Sequence, residues 1–165
     1  MPEELVDVIN EAGETIGVVP RSMMRGRRLP HRCVYILMFN TRGEIFIHQR
    51  TATKDIYPSY WDLAAGGVLA AGESFDDGAV RECHEELGVV TPLTFLFPFR
   101  YADERTIAQA QVYRAVHDGP FRLQPEEVVQ GRFVTREELA HLIAERPFCP
   151  DGLQVWRRYE NLQLL

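Results

Sequence analysis

Hydrophobic positions along this chain change period several times, and each change marks an element. Val6-Asp7-Val8-Ile9 and Thr15-Ile16-Gly17-Val18-Val19 are β-branched runs on either side of Asn10-Glu11-Ala12-Gly13-Glu14. Two such runs around an Asn/Gly turn predict a hairpin. Arg21 to Arg28 is polar and has room for one helical turn. Arg32 to Phe39 is almost continuously apolar, the pattern of a buried strand. Asn40-Thr41-Arg42-Gly43 is a turn, and Glu44 to Arg50 alternates as a second strand. Thr51 to Tyr60 reads as a loop, and Gly66-Gly67 and Gly72 bracket another.

The period then shifts toward 3.6. Ser74 is an N-cap candidate, with Asp76 and Asp77 in the first turn, where the helix dipole favours anions. The helix it opens runs from about Phe75 to Leu87, and Gly88 is the expected stop. Val89 to Phe99, broken by Pro92 and Pro98, and Thr106 to Val116 predict two more strands. Val128 to Val134 predicts another. Thr135 with Glu138 forms a capping box, opening a helix to about Glu145. A last helix, about Asp151 to Leu162, carries Leu153, Trp156 and Tyr159 at helical spacing. Strands and helices do not alternate strictly, so the expected class is α+β: a mixed sheet with helices on both faces. Residues 1–29 form a hairpin extension packing on a domain of residues 30–162.

Composition narrows the function classes. The chain's 165 residues are about one domain's worth, and 45% hydrophobic with 25% charged residues excludes a disordered chain. The longest apolar run, Cys33 to Phe39, is far short of the roughly 20 residues of a membrane span. Met1-Pro2-Glu3-Glu4 has no secretory pattern. Cys33, Cys83 and Cys149 have neither disulfide nor zinc-ribbon spacing, so a reducing cytoplasm is expected. The net charge of −6 argues against a nucleic-acid duplex as partner. It leaves a small anionic substrate open. Every basic residue except Lys54 is arginine, a rigid fork suited to phosphate.

The acidity is concentrated. Residues 73–86 hold six acids (Glu73, Asp76, Asp77, Glu82, Glu85, Glu86) and one base, Arg81, so this segment carries −5 and the rest of the chain −1. Glu82, Glu85 and Glu86 stand at i, i+3 and i+4 on one helix face. Such neighbours repel by a few tenths of a kcal/mol per pair. A divalent cation removes the repulsion, and magnesium commonly bridges carboxylates to substrate phosphates. Glu85-Glu86 alone would read as a solvated acidic face. The wider spacing decides against that: Gly67, five residues, Glu73, seven residues, then Arg81-Glu82-Cys83-His84-Glu85-Glu86-Leu87-Gly88-Val89. At roughly 5–7% per residue type, seven fixed positions coincide about once in 10⁸ to 10⁹ starts.

This stretch resembles the Nudix box, G-x5-E-x7-R-E-U-x-E-E-x-G-U with U apolar, and matches every fixed position. The resemblance implies a Nudix fold, an α/β/α sandwich, and hydrolysis of a nucleoside diphosphate linked to another moiety. It implies Mg2+, or Mn2+ in its place, held by Glu82 and Glu86 with Glu85 as a further ligand. A carbonyl near Gly66 or Gly67 would join them. Arg81 and Glu73 would form a structural pair, and Gly67 and Gly88 would make the close turns. Water would attack phosphorus while a carboxylate takes its proton. Glu82 is one candidate base; Glu126 and Glu127 are candidates outside the box, and Glu104 is a weaker one.

The match extends over about residues 5–160. His31-Arg32, Gln49-Arg50, Lys54, Tyr60-Trp61-Asp62 and Gly66-Gly67 resemble the branch that holds YfcD-type Nudix hydrolases and, more distantly, isopentenyl-diphosphate isomerase. Related proteins are often homodimers, which leaves a homodimer open. An isomerase is the rival reaction class, but Gly66 stands where its catalytic cysteine would, and Val68 where a histidine would. Met24 falls near another metal-ligating position. His31 is then expected to be a structural hydrogen-bonding residue. A non-catalytic nucleotide-binding domain is a third reading; such domains usually lose box glutamates, and none is lost here.

The remaining candidates are contacts. Arg50 and Lys54 are candidates to bind substrate phosphates. Arg21, Arg25, Arg27, Arg28 and Arg32 are either a solvated basic segment or a phosphate grip. Trp61 either packs in the core or stacks a base, Cys83 is expected in the core, and Trp156 in the core or on a dimer face.

Overall fold

A computed structural model describes residues 2–164. The N-terminal hairpin pairs β1 (Leu5–Ile9) with β2 (Thr15–Pro20), and α1 (Arg21–Gly26) follows directly. The main sheet has seven strands: β3 (His31–Phe39), β4 (Ile45–Arg50), β5 (Trp61–Asp62), β6 (Ala65–Val68), β7 (Thr94–Ala102), β8 (Ile107–Val116) and β9 (Val128–Val134). β3 runs parallel to β8, and every other pairing is antiparallel, so the sheet is mixed. The helices are α2 (Phe75–Leu87), α3 (Arg136–Glu145) and α4 (Pro150–Gln163).

Two cores lie on opposite faces of this sheet. On one, α2 buries Ala79, Cys83 and Leu87 against Val34, Ile36 and Met38 of β3. On the other, α3 and α4 bury Leu139, Val155, Trp156 and Tyr159 against Leu37, Phe39, Ile45 and Ile47. This is the expected three-layer arrangement, and it puts Cys83 and Trp156 in the core. Trp61 also packs there, 6% exposed, so it is not a free stacking surface.

Three features differ from the sequence expectation. Gly66 and Gly67 lie in β6, paired with Tyr35 and Val34, so Gly67 does not make a close turn. Their missing side chains hid the strand from hydropathy. β7 begins at Thr94 rather than Val89, and Pro92, which has no N–H to offer a ladder, lies in the unpaired stretch before it. Pro98 does not break β7, because β7 is an edge strand. The two-residue β5 is too short to leave a pattern.

β3 and β4 pair only at Phe39 and Ile45. Beyond that point β3 pairs with β6 while β4 pairs with β5 and β9. The two central strands therefore diverge, and a cleft opens between them. No described helix is long and apolar enough to cross a membrane.

Candidate active site

The box helix is built by local rules. The Ser74 side chain accepts from the Asp77 N–H at 3.1 Å, and Gly88 ends the helix in the left-handed region at φ 72°. The N-terminal hairpin holds the loop before it. Asp7 Oδ2 accepts from Arg32 Nη2 at 2.8 Å and from the Gly72 N–H at 3.0 Å, and Arg32 Nη1 donates to the Glu73 carbonyl at 2.7 Å. Arg32 is thus a structural clasp rather than a phosphate grip.

Arg81 organises the acids. Its Nε and Nη2 each donate to a Glu73 carboxylate oxygen at 2.8 Å, a bidentate pair. Its Nη1 reaches Glu82 at 3.0 Å and Glu85 at 3.1 Å. These bonds hold the Glu73 carboxyl below its ordinary pKa.

Glu82 and Glu86 are both buried, beside Gly67 of β6 and beneath an open basin. Burial pushes the Glu82 carboxyl up to about 7. Burial, then the charge of Glu82, raises Glu86 well above the carboxylate range. Two neighbouring buried acids that share a single close countercharge, Arg81 on Glu82, are costly as anions. A hard cation between them would restore ionisation, so this donor set fits magnesium or manganese. Among the described residues no three acidic, His or Cys side chains already enclose a metal position. Glu85 is turned to Arg81, and Glu127 to Lys54.

The segment that carries Glu126 and Glu127 is tied to this site by its backbone. The Arg122 N–H donates to the Leu87 carbonyl at 2.9 Å, and the Gln124 N–H to that of Glu86 at 3.3 Å. The Thr51 N–H donates to the Glu127 carbonyl at 3.1 Å, which brings the Lys54 loop alongside. Lys54, Glu126 and Glu127 therefore line the basin with the box acids. Glu104 does not; it is exposed in the β7–β8 turn.

Behind the basin lies a second, polar chamber in the β3–β4 cleft. The two share Arg21, Lys54, Gly66, Gly67, Val68 and Glu86. Arg50 lines this chamber and donates to the Ile56 carbonyl at 2.9 Å. Arg21 and Arg25 pair with Asp55 at 2.9 and 3.2 Å, which draws the Thr51–Tyr60 loop against α1. Arg28 donates to the Asp103 carbonyl. His31 is buried and bonds the Leu29 carbonyl at 2.9 Å through Nδ1, the structural role expected of it. Met24 packs with Val6 and Val68 in a small apolar cluster.

The chamber also holds groups to which the sequence assigned no role: Tyr35, His48, Asp62 and Asp151. Asp62 follows the aromatic pair Tyr60-Trp61, and Asp151 follows a helix-starting proline. Each has an ordinary local explanation.

Gly66 excludes the isomerase chemistry. Its φ is 144°, and a Cβ there would stand 2.0 Å from the Val34 carbonyl oxygen. No cysteine fits this position without a shift of the central sheet.

Known proteins resemble this chain in sequence and in fold. The model of the NUDIX domain matches residues 29–152. An uncharacterised Nudix hydrolase of Pseudomonas aeruginosa is 40% identical over 157 residues, covering 94% of this chain and 93% of its own. The uncharacterised Nudix hydrolase YfcD of Escherichia coli is 37% identical over 152 residues, covering 92% and 83%. The crystal structure of DR0079 from Deinococcus radiodurans superposes with a TM-score of 0.80 at 26% identity, over 94% of this chain and 98% of that one. The NUDIX domain of Shewanella oneidensis NrtR, solved with ADP ribose, shares the fold with a TM-score of 0.67 at 16% identity, over 88% and 99%.

Proposed function

The chain belongs to the Nudix family of hydrolases, and from that premise we propose that it is a metal-dependent diphosphatase acting on a nucleoside diphosphate linked to a second moiety. The observation that carries this reading is the pair of buried carboxylates, Glu82 and Glu86, facing a basin that opens into a separate chamber. A diphosphate over the basin would leave one end of its ligand free to enter the chamber.

Glu82 and Glu86 would hold magnesium or manganese, with Glu85 joining on release from Arg81. The bound ion supplies charge neutralisation and a more acidic water. Arg81 keeps the helix face oriented through Glu73. Lys54 and Arg50 bind phosphate oxygens, Lys54 by exchanging Glu127 for the substrate. The Glu127 carboxylate, so released, takes the proton of the attacking water. The water oxygen forms the new bond to phosphorus, and the bridging P–O bond breaks with its electron pair on the departing phosphate. Three buried free thiols suit a reducing compartment such as the cytoplasm.

The test is formation of nucleoside monophosphate from a broad panel of nucleoside diphosphate derivatives, including ADP-ribose, with magnesium and with manganese. Turnover of at least one compound, abolished by excess chelator, is expected. Full activity in chelator, or no turnover of any compound, refutes the proposal.

A further inference from the structure

Building on the diphosphatase reading, we propose that the inner chamber recognises the amino-bearing heterocycle of the substrate, with Asp151 accepting the hydrogen bond that selects it.

The argument begins with what the chamber lacks. Tyr35 OH donates to Asp151 Oδ2 at 2.8 Å. The other oxygen of the same carboxylate, Oδ1, is buried and has no hydrogen-bond partner. Buried carboxylate oxygens are normally matched, and leaving one unmatched is costly. Asp62 sits against the same first turn of α4: a Cβ at Gly152 would stand 2.2 Å from Asp62 Oδ1. That oxygen already accepts from the Leu63 N–H at 2.8 Å and the Ala64 N–H at 3.2 Å. The inner end of the chamber therefore presents carboxylate oxygens, one of them unmatched, while Arg25 Nε is an unmatched donor elsewhere on its wall.

No hydrogen bond from a described residue reaches Asp151 Oδ1. Arg25 donates to Thr106 Oγ1 at 3.2 Å and faces Asp55. Arg50 is held by the Ile56 carbonyl. His31 Nδ1 is engaged with the Leu29 carbonyl at 2.9 Å. The Cys149 thiol, kept protonated by burial, directs its weak S–H to Asp62. A ligand donor that displaces water from this polar space would complete the carboxylate.

The shape narrows the ligand. The chamber encloses about 100 Å³. By the roughly 10–15 Å³ that one water needs, this is space for several waters or one end of a small molecule. Its outer mouth is Gly66, Gly67, Lys54 and Glu86, where the diphosphate is proposed to lie. Aromatic Tyr35 and small Ala64 and Ala108 line it, which suits a flat ring. A ring with an exocyclic amino group presents a donor at its edge.

The experiment separates recognition from catalysis. The full chain, in excess chelator so that no hydrolysis intervenes, is titrated calorimetrically with two pairs of nucleoside monophosphates. Guanosine and inosine monophosphates differ only in an exocyclic amino group; cytidine and uridine monophosphates differ in an amino group against a carbonyl. The amino member of at least one pair is expected to bind at least fivefold more tightly. Asp151→Asn should lose or reverse that preference, and Asp151→Ser replaces it if the first variant does not fold. Tyr35→Phe should keep the preference, because the acceptor remains. Equal or undetectable binding of all four to the wild type overturns the proposal, as does a folded Asp151 variant with the preference intact. A preference that survives alongside a failed hydrolysis panel would refute the diphosphatase reading and leave this recognition standing.

Discussion

Gly67 lets the Glu82 carboxylate close on the sheet: a Cβ at residue 67 would stand 2.7 Å from Glu82 Oε1 and 2.9 Å from its carboxyl carbon. The backbone of residue 67 is in β6 and does not itself require glycine. Gly67→Ala should therefore fold but displace Glu82. Turnover is expected to fall at least 100-fold, about 2.7 kcal/mol of lost transition-state stabilisation. The melting temperature should change by no more than about 4 °C, the equivalent of roughly 1 kcal/mol. Steady-state kinetics and calorimetry on the same preparation decide it; a fully active variant would show that Glu82 need not sit there.

Glu86→Gln separates chemistry from stability. The glutamine keeps the shape but cannot ionise to hold a cation beside Glu82. Turnover should fall by about 100-fold or more, roughly 2.7 kcal/mol. In chelator the melting temperature should hold or rise, since a neutral amide replaces an acid that burial disfavours as an anion. Near wild-type turnover would remove Glu86 from the proposed metal site.

Arg81→Lys tests the fork. Lysine keeps the charge but cannot donate two parallel bonds to Glu73 while also reaching Glu82 and Glu85. With Arg81 partly exposed, a loss of about 1–2 kcal/mol is expected, or about 2–8 °C in melting temperature. Activity should fall at least tenfold, because the acid face loses its orientation. An unchanged melting temperature would mean that the bidentate geometry contributes nothing.

Asp62 makes stability depend on pH. Burial and the charge of Asp151 raise its carboxyl to about 7 in the folded chain, against about 3.9 when unfolded. Between these values the folded state binds the extra proton. The stabilisation is full below about pH 4 and is lost as pH rises through 7. Asp62→Asn stays neutral and can still accept from Leu63 and Ala64. Its melting temperature relative to the wild type should therefore be higher at pH 8 than at pH 5 by about 3 °C or more. The same difference at both pH values would show that Asp62 titrates normally.

Much of this was legible from sequence because it is local or periodic. The box helix runs from Phe75 to Leu87 with its Ser74 and Gly88 caps, as its residues dictate, since capping depends on neighbours three or four positions away. The Arg81–Glu73 pair followed from the resemblance of the box, and the core role of Cys83 from its place on the apolar arc. Strands without a hydropathic signature were not legible. β6 is Ala-Gly-Gly-Val, and only its pairing with β3 makes it a strand.

By itself, then, the sequence determined the family, the carboxylate helix and the layered α+β architecture. Those properties are written in spacing along one segment or in alternation along a strand. The tertiary structure alone decided that β3 and β4 part after a single pairing, and so created the inner chamber. It alone brought Asp62 beside Asp151, and Lys54 onto Glu127. These partners are 89 and 73 positions apart. No period links them, and only the packing of the sheet against α4 and the surrounding loops makes them neighbours.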